Sequence, residues 1–140
     1  MANLTVTAAK VGRANPKDDS VRTYVAATTI TAGQATYLTS SGTLGLASAA
    51  AAATAQVRGI AINGGVSGQP VTVIKEGGVE GFTLTSLNYD ALTYLSNTAG
   101  ALADAAGTVT VRVGRVSPVT DGATKSKILE IQCNVTDAWS

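Results

Sequence analysis

The residue types that most often carry chemistry are scarce in this chain, which has no histidine and a single cysteine, Cys133. Without imidazole, the commonest general base, the usual activator of a serine or cysteine nucleophile and the commonest metal ligand are all missing. One thiol without histidine assembles no structural zinc site. Carboxylates remain. Glu76 and Glu80 flank Gly77-Gly78, and two acids held at a fixed separation suffice for glycoside hydrolysis. The two glycines instead predict a hairpin turn with one solvated glutamate on each side. Asp18-Asp19 could join an oxygen-ligand cation site, yet no Asp-x-Asp-x-Asp-Gly loop accompanies them. Gly64-Gly65-Val66-Ser67-Gly68 lacks the Gly-Lys-Ser/Thr ending of a P-loop, and Gln69 stands where Gly-x-Ser-x-Gly needs its last glycine. It reads as a turn. The expectation is a protein that is not an enzyme and holds no cofactor or metal.

Partners are narrowed by charge and composition. Ten basic and nine acidic residues leave a formal charge of +1, too weak a field to steer the chain to phosphate backbones or acidic lipid. Nucleic acid and membrane are therefore not expected partners. The start, Met1 to Thr7, lacks the basic and continuously apolar character of a signal peptide. The most apolar window, residues 46–57, is far shorter than the roughly 20 residues a membrane helix needs. Cys133 lies in an alternating Ile-Gln-Cys-Asn-Val setting and reads as a buried, inert thiol.

Short runs rich in Val, Ile, Thr and Tyr, separated by Gly, Ser, Asn and Asp, recur along the whole length and predict strands joined by tight turns. The predicted strands are Thr5–Val11, Val21–Ala27, Ala35–Thr39, Thr43–Ala47, Gln56–Ile62, Pro70–Glu76, Val79–Leu84, Leu92–Leu95, Thr108–Val116 and Lys127–Val135. The fold class is all-β: a small curved β-sandwich or barrel of short antiparallel strands with at most one short helix. That helix would follow Ser48, a good N-cap, in the alanine run; a flexible connector fits the same residues equally well. An apolar share of 45% made mostly of Ala and Val, with 15 glycines, gives little buried area per side chain and a high ordering cost.

Two stretches repeat. Ala35-Thr36-Tyr37-Leu38-Thr39 with Leu44 beyond a Ser/Gly turn parallels Ala91-Leu92-Thr93-Tyr94-Leu95-Ser96 with Leu102 beyond an Asn/Gly turn. Each is followed by a Val-rich strand interrupted by glycine, at Gly59 and at Gly114. The pattern predicts two hairpins and, at each of these glycines, a bulge or a close backbone approach that bends the sheet. It places residues 21–140 in a single β domain, preceded by an extended arm or loop over residues 1–20. Residues 10–20 are the most charged and turn-rich of the chain. They are read either as a solvated loop or as an arm that lies on a neighbouring subunit.

The order Ile30-Thr31-Ala32-Gly33-Gln34-Ala35-Thr36-Tyr37-Leu38, the alanine-rich residues 46–56, Val57-Arg58-Gly59-Ile60-Ala61-Ile62-Asn63-Gly64-Gly65 and Gly68-Gln69-Pro70-Val71-Thr72-Val73 resembles the small capsid decoration (cement) proteins of tailed bacteriophages. Tyr94-Leu95-Ser96-Asn97-Thr98-Ala99-Gly100 is similar to theirs as well. The resemblance covers about Ile30 to Val116. It implies a β-rich structural protein made in the host cytoplasm and carried on the outer capsid surface of the virion. There it would bind the major capsid protein, commonly as a homotrimer, and stabilise the shell. It carries over no catalytic residue. The stretches before Val21 and after Pro118 match least, and Arg13, Asn15, Pro16, Lys17 and Arg22 are the candidate contacts to the shell or a sister subunit. The alternative is a fibre or tail-associated adhesion domain binding a host-surface glycan. It requires an aromatic-lined groove, which the scattered Tyr24, Tyr37, Tyr89, Tyr94 and Trp139 do not announce.

Overall fold

The computed structural model describes residues 3–13, 20–121 and 124–133. They form an all-β, strongly curled antiparallel sheet resembling a half-barrel. In chain order the strands are β1 (Gly12–Arg13), β2 (Ser20–Val25), β3 (Ala35–Leu38), β4 (Leu44–Leu46), β5 (Val57–Ala61), β6 (Pro70–Glu80), β7 (Leu92–Leu95), β8 (Leu102–Ala103), β9 (Arg112–Asp121) and β10 (Thr124–Gln132). The hydrogen-bonded path runs β4-β3-β5-β6-β10-β9-β7-β8, and β1 and β2 both pair with β6 off that path.

The sequence repeat is a structural repeat, register for register. Thr36 faces Gly59 and Tyr37 faces Val57, so Arg58 is an extra residue in β5; Thr93 faces Gly114 and Tyr94 faces Arg112, so Val113 is an extra residue in β9. On their other edges Leu38 pairs with Leu44 and Leu95 with Leu102. Each unit enters through a residue with positive φ, Gly33 at 95° and Asp90 at 68°. Each of these donates its N–H to the closing strand, at Ala61 O (2.7 Å) and Val116 O (2.7 Å). At each bulge a buried threonine hydroxyl donates to the facing glycine carbonyl, Thr36 to Gly59 at 2.8 Å and Thr93 to Gly114 at 3.0 Å. An extra residue in one strand raises the local twist and bends the pair. Two matched bulges therefore curl the sheet twice in the same sense.

β6 joins the units. Ile74 has both Val21 and Ile60 as partners, Glu76 has Ser20 and Gln132, and Val79 has Arg13 and Leu129. A strand has only two edges, so β5 and β10 lie end to end along one edge of β6, and β2 and β1 along the other. This overturns the predicted break into Pro70–Glu76 and Val79–Leu84. Gly77-Gly78 is not a turn: both glycines stay in the strand and pair with β10, at Ile131 and Glu130, with Gly77 at φ 130°, and the extra residue at the Ser20/Val21 register shift is Lys75.

Other boundaries move as well. Thr5–Val11 is not a strand; it makes a lone bridge from Val6 to Phe82 and then a 3₁₀ turn over Ala8–Lys10, residues with better helical than strand propensity. β9 begins at Arg112 rather than Thr108, and β10 begins at Thr124 rather than Lys127, while the predicted end at Val135 lies outside the described residues. The alanine run contributes one 3₁₀ turn, Ala52–Thr54. Ser48 accepts from Ala50 N–H at 3.2 Å but gives its hydroxyl hydrogen to Asn97 O, tying the run to the second unit instead of starting an α-helix. Residues 3–11 lie against the body, with Leu4 and Val11 packed on the main core.

That core is small-residue and aliphatic. Ala35, Val57, Ile60, Ile74, Val79, Leu95, Val111, Val113, Leu129 and Ile131 lie in the larger cluster, and Ala26, Ile30, Leu44, Ala61, Val71 and Val73 in the smaller. No aromatic side chain is fully buried among the described residues; Tyr37 and Phe82 pack on the rim. Backbones approach closely where the curl is tightest: a Cβ on Gly114 would sit 2.1 Å from Glu130 O, and one on Gly59 2.7 Å from Ile74 O. Gly12 has nothing within 4 Å. Gly114→Ala is therefore expected to lose about 3 kcal/mol or more in urea unfolding, while Gly12→Ala changes stability by less than about 0.5 kcal/mol. Equal midpoints for the two variants would refute the close-approach account of the curl.

Candidate functional site

Two of the candidate contact residues lie along one edge of β6. Arg13 lies on β1 opposite Val79, and Arg22, exposed, lies on β2 opposite Val73. The end-to-end arrangement of β1 and β2 sets both positions along the same side of the sheet. Asn15, Pro16 and Lys17, with Asp18 and Asp19, lie outside the described residues, as does Trp139.

The features examined for chemistry resolve differently. Glu76 and Glu80 are exposed on one continuous strand, with about 13 Å of backbone rise between them. Paired glycosidase carboxyls are roughly 5 to 9.5 Å apart. The two glutamates are thus separate surface groups. The Gly64–Gly68 segment is a turn that uses its own amides: Gly65 N–H donates to Ile30 O, Val66 N–H to Gln69 Oε1, Gly68 N–H to Ala26 O and Gln69 N–H to Val66 O. Those donors are already committed and do not converge on a phosphate. The tyrosines serve different places. Tyr37 packs over Gly45, Tyr24 against the smaller core cluster, and Tyr89 lies under Lys127 Nζ at 5.4 Å from the ring centroid.

A cleft of about 350 Å³ was not legible beforehand. It is lined by Glu76, Leu92, Arg112, Val113, Gly114, Arg115 and Gln132. Its origin is the β9 bulge: the extra residue Val113 resets the alternation, so Arg112 and Arg115, three apart, both emerge on the face that carries Leu92. Arg115 is held by Asp90, to its carboxylate at 3.2 Å and to its carbonyl at 3.2 Å. The equivalent face of the first unit, Ala35, Val57, Ile60 and Ile74, is buried core. A signal did exist in the sequence, since Gly114 marks the bulge. Whether the face around it is open depends on the neighbouring elements.

Cys133 is buried, and its N–H donates to Lys75 O at 2.9 Å. Burial pushes its thiol up to about 12, with Lys75 pulling down and Glu76 pushing further up. A thiol so protonated is a poor nucleophile. In the unfolded chain it ionises near 9.0, so unfolding above that pH releases a proton that the folded protein retains. Its stabilising contribution is complete below pH 9 and falls as pH rises toward 12, by up to about 1.4 kcal/mol per pH unit. Urea titrations of wild type and Cys133→Ala at pH 8 to 11 should show the wild type losing stability faster above pH 9. Parallel curves would refute the burial effect.

No family model, characterised protein or solved structure matches this chain.

Proposed function

We propose that this chain is a non-enzymatic structural protein that coats the outer surface of a tailed-phage head, binding the major capsid protein and stabilising the shell. The observation that carries this reading is where the resembling residues fall. Ile30–Leu38 and Tyr94–Gly100 supply the entry turn and first strand of one unit and the strand and turn of the other. Val57–Gly65 and Gly68–Val73 supply the bulged strand and its partner in β6. The resemblance thus rests on framework positions rather than on scattered Gly, Ala and Thr.

The physical character of the molecule suits that role. An aliphatic core of small side chains gives modest stability to a free subunit, and binding to the folded form adds stability by mass action. Many copies on one lattice reinforce one another through avidity. A homotrimer, as the resemblance implies, would add contacts between sister subunits. Arg13, Asn15, Pro16, Lys17 and Arg22 are the proposed contact residues, and the protein would be made in the host cytoplasm and carried on the virion surface.

Mixing purified protein with expanded, undecorated heads of its phage and pelleting them tests the proposal. The expected result is saturable co-sedimentation at a fixed ratio to the major capsid protein. Replacing residues 14–19 by a Gly-Ser linker should weaken that binding while circular dichroism stays unchanged. Failure of the intact protein to bind expanded heads would overturn decoration and direct attention to a glycan-binding screen.

A further inference from the structure

The two units differ on one face, where the second places charge at positions that are core in the first. Val57, Ile60 and Ile74 of the first unit share one buried cluster with Ala47, Ala49 and Ala55 of the alanine run. Their register equivalents in the second unit are Arg112, Arg115 and Glu130. Both arginines are exposed, and no residue of the corresponding connection, 104–111, lines the cleft beside them.

That cleft of about 350 Å³ crosses four neighbouring strands: Leu92 on β7, residues 112–115 on β9, Gln132 on β10 and Glu76 on β6. From β9 to β6 is two strand spacings, about 10 Å. Arg115 is held in place, and both of its contacts to Asp90 use Nη1. Its Nε–Nη2 edge therefore keeps two donors in the planar fork that matches a carboxylate. Arg112 lies opposite Tyr94 and has no hydrogen-bond or ion-pair partner among the described residues. Gln132 and Glu76, both exposed, are direct cross-strand neighbours at the other end. Asp90, Glu76 and Glu130 set three carboxylates around two guanidiniums, which disfavours a doubly charged phosphate and leaves Arg112 for a single negative charge. The cleft opens on a sheet face rather than an edge, so a peptide finds no strand to extend. A sugar ring, in contrast, brings hydroxyls that satisfy a carboxylate and an amide together.

We propose that this cleft binds a uronic-acid residue of an acidic saccharide. Its carboxylate takes Arg112 and the free edge of Arg115. Ring hydroxyls donate to Glu76 and accept from the Gln132 amide, and the C–H face of the ring rests on Leu92. The site uses neither Arg13 nor Arg22, and it is independent of the capsid binding proposed above.

NMR titration of the full chain with a tetramer of galacturonic acid and, separately, with a hyaluronan tetrasaccharide tests the assignment. At least one of them should give saturable shifts centred on residues 112–115 and 132, and methyl esterification of its carboxylates should abolish them. Arg112→Gln should weaken binding at least about tenfold, the loss of one charge-assisted bidentate contact. Lys10→Gln, at an exposed position outside the cleft, should leave affinity unchanged, and amide spectra report whether each variant keeps the native fold. Binding by neither saccharide, equal binding of the methyl ester, or wild-type affinity in a natively folded Arg112→Gln overturns the proposal. So does equal affinity for N-acetyl-glutamate amide, which has the carboxylate without the ring. Any of these results leaves capsid binding to be decided by co-sedimentation.

Discussion

Two backbone crossings set the shape of this molecule. At Gly59 and Gly114 a strand carrying one extra residue passes so close to its neighbour that no Cβ fits, and a threonine on the facing strand donates its hydroxyl to the glycine carbonyl. A bulge leaves backbone groups outside the regular ladder, and a buried unpaired carbonyl is costly. Thr36 and Thr93, both fully buried, donate to these carbonyls. The bulges are thereby held in one geometry, and the twist they add accumulates into the curl that lets one sheet enclose its own core. A tightly curled sheet has a narrow interior, which is why Ala and Val fill it and aromatics stay on the rim.

The long strand β6 turns two such units into one body. Its first half completes the unit of β3, β4 and β5, and its second half pairs with β10 of the other unit. Further stitching comes from the alanine-rich segment. Gly100 N–H donates to Ala47 O, Ala35 N–H to Gly100 O, and Ala49 N–H to Ser96 O. The turn at Ser96–Gly100 is closed as much by residues of the first unit as by its own. Because these bonds cross between units, neither unit has a complete set of backbone partners without the other.

The repeat, the all-β class and the bulging role of Gly59 and Gly114 were legible because each rests on local spacing: a Tyr-Leu strand, a turn, then glycine within an apolar run. Gly77-Gly78 was not, since the same dipeptide suits a hairpin turn or an irregular stretch of strand, and only the strands on both sides of β6 decide between them. Residues 5–11 alternate weakly enough that the Ala-Ala-Lys segment takes a 3₁₀ turn. The Arg112/Arg115 cleft was invisible for a different reason. Exposure of a face or an edge is set by elements distant in sequence, and no window of neighbouring residues encodes it.

The two units show how burial alone divides their surfaces. They share register, bulge, entry turn and threonine bond, yet Val57, Ile60 and Ile74 in one correspond to Arg112, Arg115 and Glu130 in the other. Placing the second set where the first lies would bury unpaired charge, at a cost far above that of the few methylenes exchanged. Placing the first set on the second unit would expose a contiguous aliphatic strip, a surface that invites association. The backbone pattern is therefore a scaffold that tolerates either chemistry, and the chain has used one copy of this face for its interior and the other for solvent. Surfaces free to acquire a binding role are those that the fold itself does not need, such as the open face of the second unit.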